Sequence, residues 1–435
     1  MIRTMRTDRT ILHCDCNNFF ASVELLERPD LADKPVAVAG DPEGRHGIIL
    51  AKNMIAKRCG VQTAETIWQA RRKCPGLILL PPHHHKYSEM SRRINRIYLE
   101  YTDQVEPFSV DESWLDVTGS RALFGDGVTI ADTLRRRIRE ELGITISVGV
   151  SDNKSWAKMG SDYKKPDATT LITRENVAQL LYPLDVSALL FVGDAAADTL
   201  RRHGITTIGA LAGCQESLLI RCLGKQGGGL WRMANGLDDS PVRLWGDSDP
   251  VKSVGNGMTF AHDLTGREAC HDALMPLCDS VGSRLRAQRL KCRTVTLQIK
   301  DPSLKVISRQ KTLPMPTNLT RQLHREACAI LDASWPADAP IRLMTVTAGS
   351  LCGEDEAVPA QLSFLTEVAP DDPRRAAVER AVDQVRARFG RDAVSPGTPE
   401  VKSNHPKGTR QRKRVKGRSP LRRNVAAAQA QKNAY

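Results

Sequence analysis

The chain has 435 residues and a formal net charge of +13; 41% of its residues are hydrophobic and 26% are charged. At roughly 100–200 residues per domain we expect about two to four domains, and the hydrophobic content excludes a wholly disordered chain. No apolar run reaches the length of about 18 residues that a membrane span needs, so we expect no membrane association.

The first 174 residues mix strand and helix patterns, which indicates one sheet covered by helices. The predicted strands are 10–14, 35–39, 48–51, 144–150 and 170–172. The predicted helices are 18–26, 53–59, 64–72, 87–102, 129–142 and 154–163. Between them, residues 105–117 alternate as two strands around Asp111 and Glu112, which predicts a hairpin. Pro81 and Pro82 break the chain and predict a loop for the next residues, His83 to His85.

The second half begins with short helices over 174–241, separated by glycines, and a linker at 247–252. Strand patterns return at 294–299 and 342–347 and alternate with helices at 272–290 and 319–334. A further helix is predicted at 373–389. The whole pattern predicts an α+β multidomain protein, and no stretch of apolar residues of signal-peptide length precedes Asp15, so we expect a cytoplasmic protein.

Positive charge is concentrated in two places. Residues 401–435 contain 11 Lys or Arg and no acidic residue, and residues 280–325 contain 11 Lys or Arg against one Asp. Such segregation favours a folded module that faces a polyanion, followed by a basic tail, although a solvated charged face is the simpler alternative. We therefore expect nucleic acid as a partner.

Cysteine and histidine do not predict a zinc site. The 11 cysteines are scattered without a C-x-x-C pair, so we expect reduced and mostly buried thiols. The three consecutive histidines, His83 to His85, cannot all face one ion from a single segment.

Three acidic residues carry the strongest chemical signal. Asp15 ends a predicted strand, and the adjacent Asp111 and Glu112 occupy the centre of the predicted hairpin. Carboxylates in an apolar context are costly unless they are paired, and their hard oxygens suit Mg²⁺ or Mn²⁺. Two such ions about 4 Å apart can bind the attacking and leaving oxygens of a phosphoryl displacement. Lys52, Lys57 and Lys165 could neutralise a triphosphate, although a surface position is the better explanation for each lysine taken alone.

Three ordered segments together resemble the Y-family of translesion DNA polymerases, in its DNA polymerase IV group. Residues 15–24 (DCNNFFASVE) are similar to the family's first acidic box, and residues 109–117 (SVDESWLDV) to its second. Residues 147–150 (SVGV), followed by Lys154, Lys158, Asp162 and Lys165-Pro166, are similar to its third stretch. The resemblance covers about residues 8–350.

The resemblance implies a family architecture. The palm would comprise residues 1–17 and 82–174, with a mixed or antiparallel sheet and helices, and small fingers would comprise 18–81. An all-helical thumb with a helix-hairpin-helix would comprise 175–245, and an α+β little finger 250–352. Residues 353–400 would hold a clamp-binding peptide and a helix, and 401–435 a basic disordered tail.

It also implies roles in the active site. Asp15, Asp111 and Glu112 would be catalytic and, with the main-chain carbonyl of Cys16, would hold two Mg²⁺ ions, for which Mn²⁺ could substitute. Phe20 would be the steric gate that excludes a 2′-hydroxyl. Nucleotide-binding residues would be Phe19, Phe20, Lys57 and Lys165, although Phe19 also suits the core. Met54 and Lys57 stand where the family has a tyrosine and an arginine, so nucleotide affinity or fidelity is expected to differ.

The implied partners are dNTPs, primer–template DNA and a replication sliding clamp, bound by a monomer that is associated with the bacterial nucleoid. The expected DNA-binding residues are Gly193, Gly224, Lys225, Gly227, Lys252, Arg284, Arg286, Arg289, Lys291 and Arg293. Segment 192–194 keeps only one glycine of the usual thumb hairpin, whereas 224–227 retains both. The expected clamp-binding residues are Gln361, Leu362, Phe364 and Leu365, with the last two family positions exchanged.

Two alternatives from other classes stay open. One is a catalytically silent protein that binds DNA or a clamp, which Met54 and the altered hairpin at 192–194 motivate. The other is a nucleotide cyclase, which can share a palm-like sheet and paired carboxylates. The glycines at 224–227 and the basic window at 280–325 argue against a cyclase.

Overall fold

The computed structural model describes residues 9–42, 47–356 and 373–395. Residues 9–174 contain two sheets and seven helices within this described part. The strands are β1 (Ile11–Cys16), β2 (Val36–Ala39), β3 (Ile49–Lys52), β4 (Ile78–Leu80), β5 (Val105–Pro107), β6 (Glu112–Asp116), β7 (Ile146–Ser151) and β8 (Thr169–Leu171). The helices are α1 (Phe19–Leu25), α2 (Met54–Arg58), α3 (Ile67–Lys73), α4 (His84–Leu99), α5 (Arg121–Phe124), α6 (Gly127–Leu142) and α7 (Lys154–Tyr163).

The larger of these sheets has the strand order β5-β6-β1-β7-β8. Strand β1 lies at its centre, pairs antiparallel with β6 and β7, and is buried along its whole length. Helices α4 and α6 cover the apolar face, where their buried residues join those of β1 and β7 in one core. The central position of β1 places Asp15 between the hairpin residues of β6 and the strand β7.

The smaller sheet, with the order β3-β2-β4, has a core of its own together with α2 and α3. Helix α3 begins at a capping box, in which the Thr66 side chain accepts from the Gln69 backbone and the Gln69 side chain accepts from the Thr66 backbone. This small unit corresponds to the segment expected to form the fingers.

A helical region follows, with a separate core. Its helices are α8 (Val177–Leu180), α9 (Asp194–Arg202), α10 (Ile208–Ala212), α11 (Glu216–Leu223) and α12 (Lys225–Ala234). Trp156 and Met159 of α7 also pack into this core, so the hydrophobic contacts cross the boundary predicted near residue 174. The division into domains therefore stays a prediction.

The next unit has a four-stranded antiparallel sheet in the order β11-β10-β12-β9. Its strands are β9 (Ser253–Leu264), β10 (Leu290–Lys300), β11 (Val306–Thr317) and β12 (Ile341–Gly353), and its helices are α13 (Arg267–Ala287) and α14 (Thr320–Ser334). Alternate residues of β10 and β12, such as Val295, Leu297 and Val346, pack beneath the two helices. The opposite face of the sheet carries no helix among the described elements.

A last helix, α15 (Pro373–Phe389), docks on this unit. It buries no side chain fully, and ion pairs join it to α13. Arg286 of α13 is 6% exposed and pairs with Glu379 and, at 2.6 Å, with Asp383. Arg386 of α15 pairs with Asp279 at 2.9 Å.

Several sequence predictions need correction. Helix α4 begins at His84, three residues before the predicted start, so His84 and His85 are helical and do not lie in a loop. Strand β1 extends through Cys16, so Asp15 is the penultimate residue of the strand and not the residue that follows its last apolar position. Strand β4 was not predicted. No helix in the described ranges combines the length and the apolar character that crossing a bilayer demands.

Candidate active site

The structure brings Asp15, Asp111 and Glu112 together. Asp15 is the Cα partner of Glu112 in the antiparallel pairing of β1 with β6, and the Cys16 amide donates to the Asp111 carbonyl oxygen at 3.0 Å. One ammonium group, that of Lys158, lies 3.2 Å from Asp15 Oδ2 and 2.7 Å from Glu112 Oε1. The two carboxylates therefore lie within the span of two hydrogen bonds.

Two lysines neutralise this cluster. Lys158, on α7, contacts Asp15, Glu112 and Asp162. Lys165, just after α7, lies 2.7 Å from both Asp15 Oδ2 and Asp162 Oδ1. Lys165 was expected near the triphosphate, whereas no site role was assigned to Lys158 or Asp162 from the sequence. In the sequence, Asp162 follows Lys158 by four residues and precedes Lys165 by three. This spacing, along and just after a predicted helix, was the available signal that the three side chains could meet.

Burial and the two lysines shift the pKa values of the three carboxylates in different directions. Burial favours the neutral form of Asp15, but its hydrogen bond with Glu112 and the charges of Lys165 and Lys158 outweigh burial and lower its pKa. Burial and the hydrogen bond with Asp15 raise the pKa of Glu112 to about 7. Burial, with a contribution from the charge of Asp15, also raises the pKa of Asp111, although Ser109 donates to its carboxylate at 2.6 Å.

The donor set fits a hard divalent cation in its chemistry, since it consists of carboxylate oxygens at one end of a buried strand. Within the described residues, no three His, Cys, Asp or Glu side chains lie in an arrangement that could hold a metal ion as they stand. The ammonium groups of Lys158 and Lys165 contact the oxygens that a cation would use. A cation that binds here must therefore displace these ammonium groups.

The two phenylalanines of the first box have different environments. Phe19 is 3% exposed and packs in the core under the sheet, so its surroundings are those of a core residue and not of a nucleotide contact. Phe20 is half-buried and stacks on Tyr87, with ring centroids 4.0 Å apart and planes 9° apart. The Tyr87 hydroxyl donates to Glu24 at 2.5 Å, which fixes the ring that supports Phe20.

The expected nucleotide residue Lys57 is exposed on the short helix α2. Asn53 immediately precedes that helix and caps it, because its side chain accepts from the Ala56 amide at 2.9 Å. Met54 is the first residue of this helix and is partly buried.

The two predicted thumb hairpins lie side by side. The Gln226 side chain donates to the Phe191 carbonyl oxygen at 2.9 Å, and Gly193 and Gly224 precede the helices α9 and α12. Close packing of α12 against α11 explains the glycine at position 227 without a phosphate contact. A Cβ at Gly227 would lie 2.1 Å from the Leu219 carbonyl oxygen, and its amide already donates to Gly224.

The basic residues of the 280–325 window are not all available to a ligand. Arg286 is covered by α15, so the expectation that it binds DNA is at odds with its surroundings. Arg284 donates to the Gly255 carbonyl oxygen, and exposed Arg289 pairs with Asp355. Lys252 is exposed, Lys225 begins α12, and Lys291 and Arg293 are half-buried on β10. Gln361, Leu362, Phe364 and Leu365 lie outside the described residues.

Comparison with known proteins identifies related families and chains. The profile of the impB/mucB/samB family matches residues 14–162, and that of the family's C-terminal domain matches residues 251–364. DNA polymerase IV of Acetivibrio thermocellus is 46% identical over 89% of this chain and 97% of its own length. DNA polymerase IV of Moorella thermoacetica is 39% identical over 89% of this chain and 95% of its own length.

A solved structure shares the fold. A Y-family DNA polymerase chimera, Dbh-Dpo4(243-245)-Dbh, superposes with a TM-score of 0.69 over 78% of this chain and 98% of its own, at 23% identity. The sequence relatives and the shared fold lead to one conclusion: the chain belongs to the Y-family DNA polymerases, in the DNA polymerase IV group.

Proposed function

We propose that this protein is a template-directed DNA polymerase that carries out translesion synthesis during DNA repair and damage tolerance. It transfers dNMP from a dNTP to a primer 3′-hydroxyl. The observation that carries the proposal is the convergence of Asp15, Asp111 and Glu112 at one end of the central strand. Relatives named DNA polymerase IV over most of their length support the same activity.

The family implies dependence on a divalent metal, and we assign the metal site to Asp15, Asp111, Glu112 and the Cys16 carbonyl. Two Mg²⁺ ions, or Mn²⁺ in their place, would supply charge neutralisation to the attacking and leaving oxygens. The chain itself orients the carboxylates through the β1–β6 register and balances their charge with Lys158 and Lys165. Lys57 and Lys165 are proposed to contact the triphosphate as point charges.

Selection of deoxynucleotides is assigned to Phe20. Its ring has one face against Tyr87 and is partly open to solvent. A rigid aromatic surface beside the sugar leaves no space for a 2′-hydroxyl. The stacked Tyr87 supports this because it prevents Phe20 from retreating towards α4.

We assign DNA binding to the sheet face opposite α13 and α14 and to the thumb hairpins. Because side chains alternate along strands, Thr296 and Gln298 of β10 and Thr345 and Thr347 of β12 face away from the core residues of those strands. Hydroxyl and amide groups suit phosphate and sugar contacts. Lys300 lies at the end of β10 on the same alternation and would add the charge that such binding uses.

The remaining partners are proposed from the sequence. Residues 361–365 would bind a sliding clamp through the apolar anchors Leu362, Phe364 and Leu365. The protein would act as a monomer in the cytoplasm, near the nucleoid, and the basic residues after Val401 would add non-specific DNA affinity.

The test is primer extension by the Asp111→Ala variant. Asp111 contributes a carboxylate without contacting either lysine in the described structure, so extension should be lost while primer–template affinity changes little. Retained extension would contradict the metal assignment. A wild-type protein that gives no product with Mg²⁺ or Mn²⁺, yet binds DNA, would favour the silent binding protein instead.

A further inference from the structure

Asp162 pairs with both lysines of the active site at the solvent-exposed rim of the cluster. Its carboxylate lies 3.0 Å from Lys158 Nζ and 2.7 Å from Lys165 Nζ. Its side chain is 52% exposed, whereas that of Asp15 is 7% exposed. Lys158 therefore joins Asp15 and Glu112 to Asp162, and Lys165 joins Asp15 to the same carboxylate at the rim.

This arrangement matters when a cation enters the cluster. The ammonium groups of Lys158 and Lys165 then have to leave Asp15 Oδ2 and Glu112 Oε1. An ammonium group that is mostly buried and has lost its partner carries a large desolvation penalty. Lys158 is 12% exposed, so it cannot turn fully into water. Asp162 already accepts from both lysines and can keep them paired after the exchange.

We propose that Asp162 is a positioning residue that retains Lys158 and Lys165 when a divalent cation displaces them from Asp15 and Glu112. The inference rests on the metal site assigned under the proposed function. Asp162 does not touch the cation or the substrate in this scheme. It lowers the free energy of the exchanged state by giving the displaced ammonium groups a second acceptor.

A simpler role for Asp162 makes a different prediction. As an exposed helical ion pair with Lys158, it would contribute only weakly to helix stability. As a remote negative charge, it would attract any cation equally whether or not Lys158 is present. Only the exchange mechanism requires the effect of Asp162 to depend on Lys158.

The experiment is a double-mutant cycle on Mn²⁺ affinity, measured by electron paramagnetic resonance of free Mn²⁺ with the full chain and without DNA or nucleotide. Asp162→Asn should weaken Mn²⁺ binding about fivefold or more, on the scale of coupling between contacting groups. Lys158→Met should tighten binding, because one competing ammonium group is gone. In the Lys158→Met background the effect of Asp162→Asn should shrink clearly.

Two controls keep the outcome interpretable. Glu140→Gln removes an exposed helical acid that pairs only loosely with Arg136 and should leave Mn²⁺ affinity unchanged. Asp162→Glu keeps the charge and should restore most of the affinity lost in Asp162→Asn. An equal effect of Asp162→Asn in both backgrounds would overturn the inference. Absence of Mn²⁺ binding by the wild-type protein would overturn the metal assignment itself, and the inference with it.

Discussion

Asp15 and Glu112 lie directly opposite each other on neighbouring antiparallel strands, and the Lys158 ammonium contacts both carboxylates. Two like charges at such a position destabilise a sheet. The lysine offsets this repulsion, and the raised pKa of Glu112, caused first by burial, shows that the pair is still costly to ionise. The register of β1 with β6 therefore places at this sheet a charged cluster that needs cations.

The steric gate can be tested by Phe20→Ala. Removal of the ring opens the space above Tyr87 for a 2′-hydroxyl, so discrimination against ribonucleotides should fall about 100-fold, which corresponds to about 2.7 kcal/mol. Single-nucleotide incorporation of dNTPs and rNTPs measures it. Tyr87→Phe is the matched control, because it keeps the stacked ring and loses only the hydrogen bond to Glu24. Undiminished discrimination in Phe20→Ala would refute the role.

Glu106 of β5 connects the five-stranded sheet to the segment after α12. Its carboxylate, 8% exposed, lies 2.7 Å from Lys154 Nζ and accepts from the Arg243 amide at 3.0 Å. Glu106→Gln should cost about 3 kcal/mol at pH 7, because it leaves the mostly buried Lys154 without its counter-charge. Thermal unfolding measures the loss.

The pH dependence of this cost has a defined sign. Burial opposes ionisation of Glu106, but Lys154 and Arg243 outweigh it and lower its pKa. The stabilisation is therefore present above the ordinary glutamate pKa and disappears as the pH falls through the lowered value. The difference between the wild type and Glu106→Gln should shrink below about pH 4. A difference that stays constant down to pH 3 would contradict the charge interaction.

The proposed DNA-binding face of the four-stranded sheet predicts how primer–template affinity depends on salt. Lys300→Ala should weaken primer–template binding and reduce the slope of log affinity against log salt by about 1, as expected for one lost phosphate contact. Fluorescence anisotropy over a series of NaCl concentrations measures this slope. Arg286→Ala should leave the slope unchanged, since α15 covers that side chain. A larger effect of Arg286→Ala than of Lys300→Ala on this slope would instead indicate that DNA binds on the side of the sheet that α13 and α14 cover.

Docking of α15 depends on acidic residues. Glu379 pairs with Arg286 and accepts from the Thr320 amide at 3.0 Å, and Asp383 completes the contact. The double variant Glu379→Gln/Asp383→Asn should release the helix, and limited proteolysis should then cleave within 373–389 at least several times faster. Because few apolar contacts hold α15, added salt should accelerate cleavage of the wild type as well. Unchanged cleavage would show that other contacts fix α15.

Two glycines of α12 provide a matched pair for helix packing. A Cβ at Gly227 would lie 2.1 Å from the Leu219 carbonyl oxygen, whereas a Cβ at Gly229 would meet nothing within 4 Å. Gly227→Ala should destabilise the protein by about 1–3 kcal/mol through overpacking. Gly229→Ala should stabilise it by up to about 1 kcal/mol through helix propensity. Thermal unfolding compares them, and equal effects would contradict the close approach of α11 and α12.

Local patterns predicted elements well but not their long-range partners. Helices α7 and α15 have the predicted bounds, because their apolar periodicity and flanking breakers are local signals. Helix α4 begins earlier than predicted, at His84, because Pro82 lies two residues before this position and does not interrupt the helix. The motifs predicted the carboxylates that the structure brings together. They could not predict that α15 covers Arg286, because the paired residues are 93 and 97 positions apart.

Anchoring of α15 has a consequence for any protein that binds residues 357–372. The chain enters this stretch from the end of β12 and leaves it into α15, and both flanks are fixed to the same sheet-and-helix unit, since Glu354 also pairs with Arg380 at 3.8 Å. A protein bound at residues 361–365 would thus be connected, through β12 on one side and α15 on the other, to the unit proposed to bind duplex DNA. Two attachment points would restrict the position of that bound protein relative to the DNA more than a single attachment, which would limit only its distance.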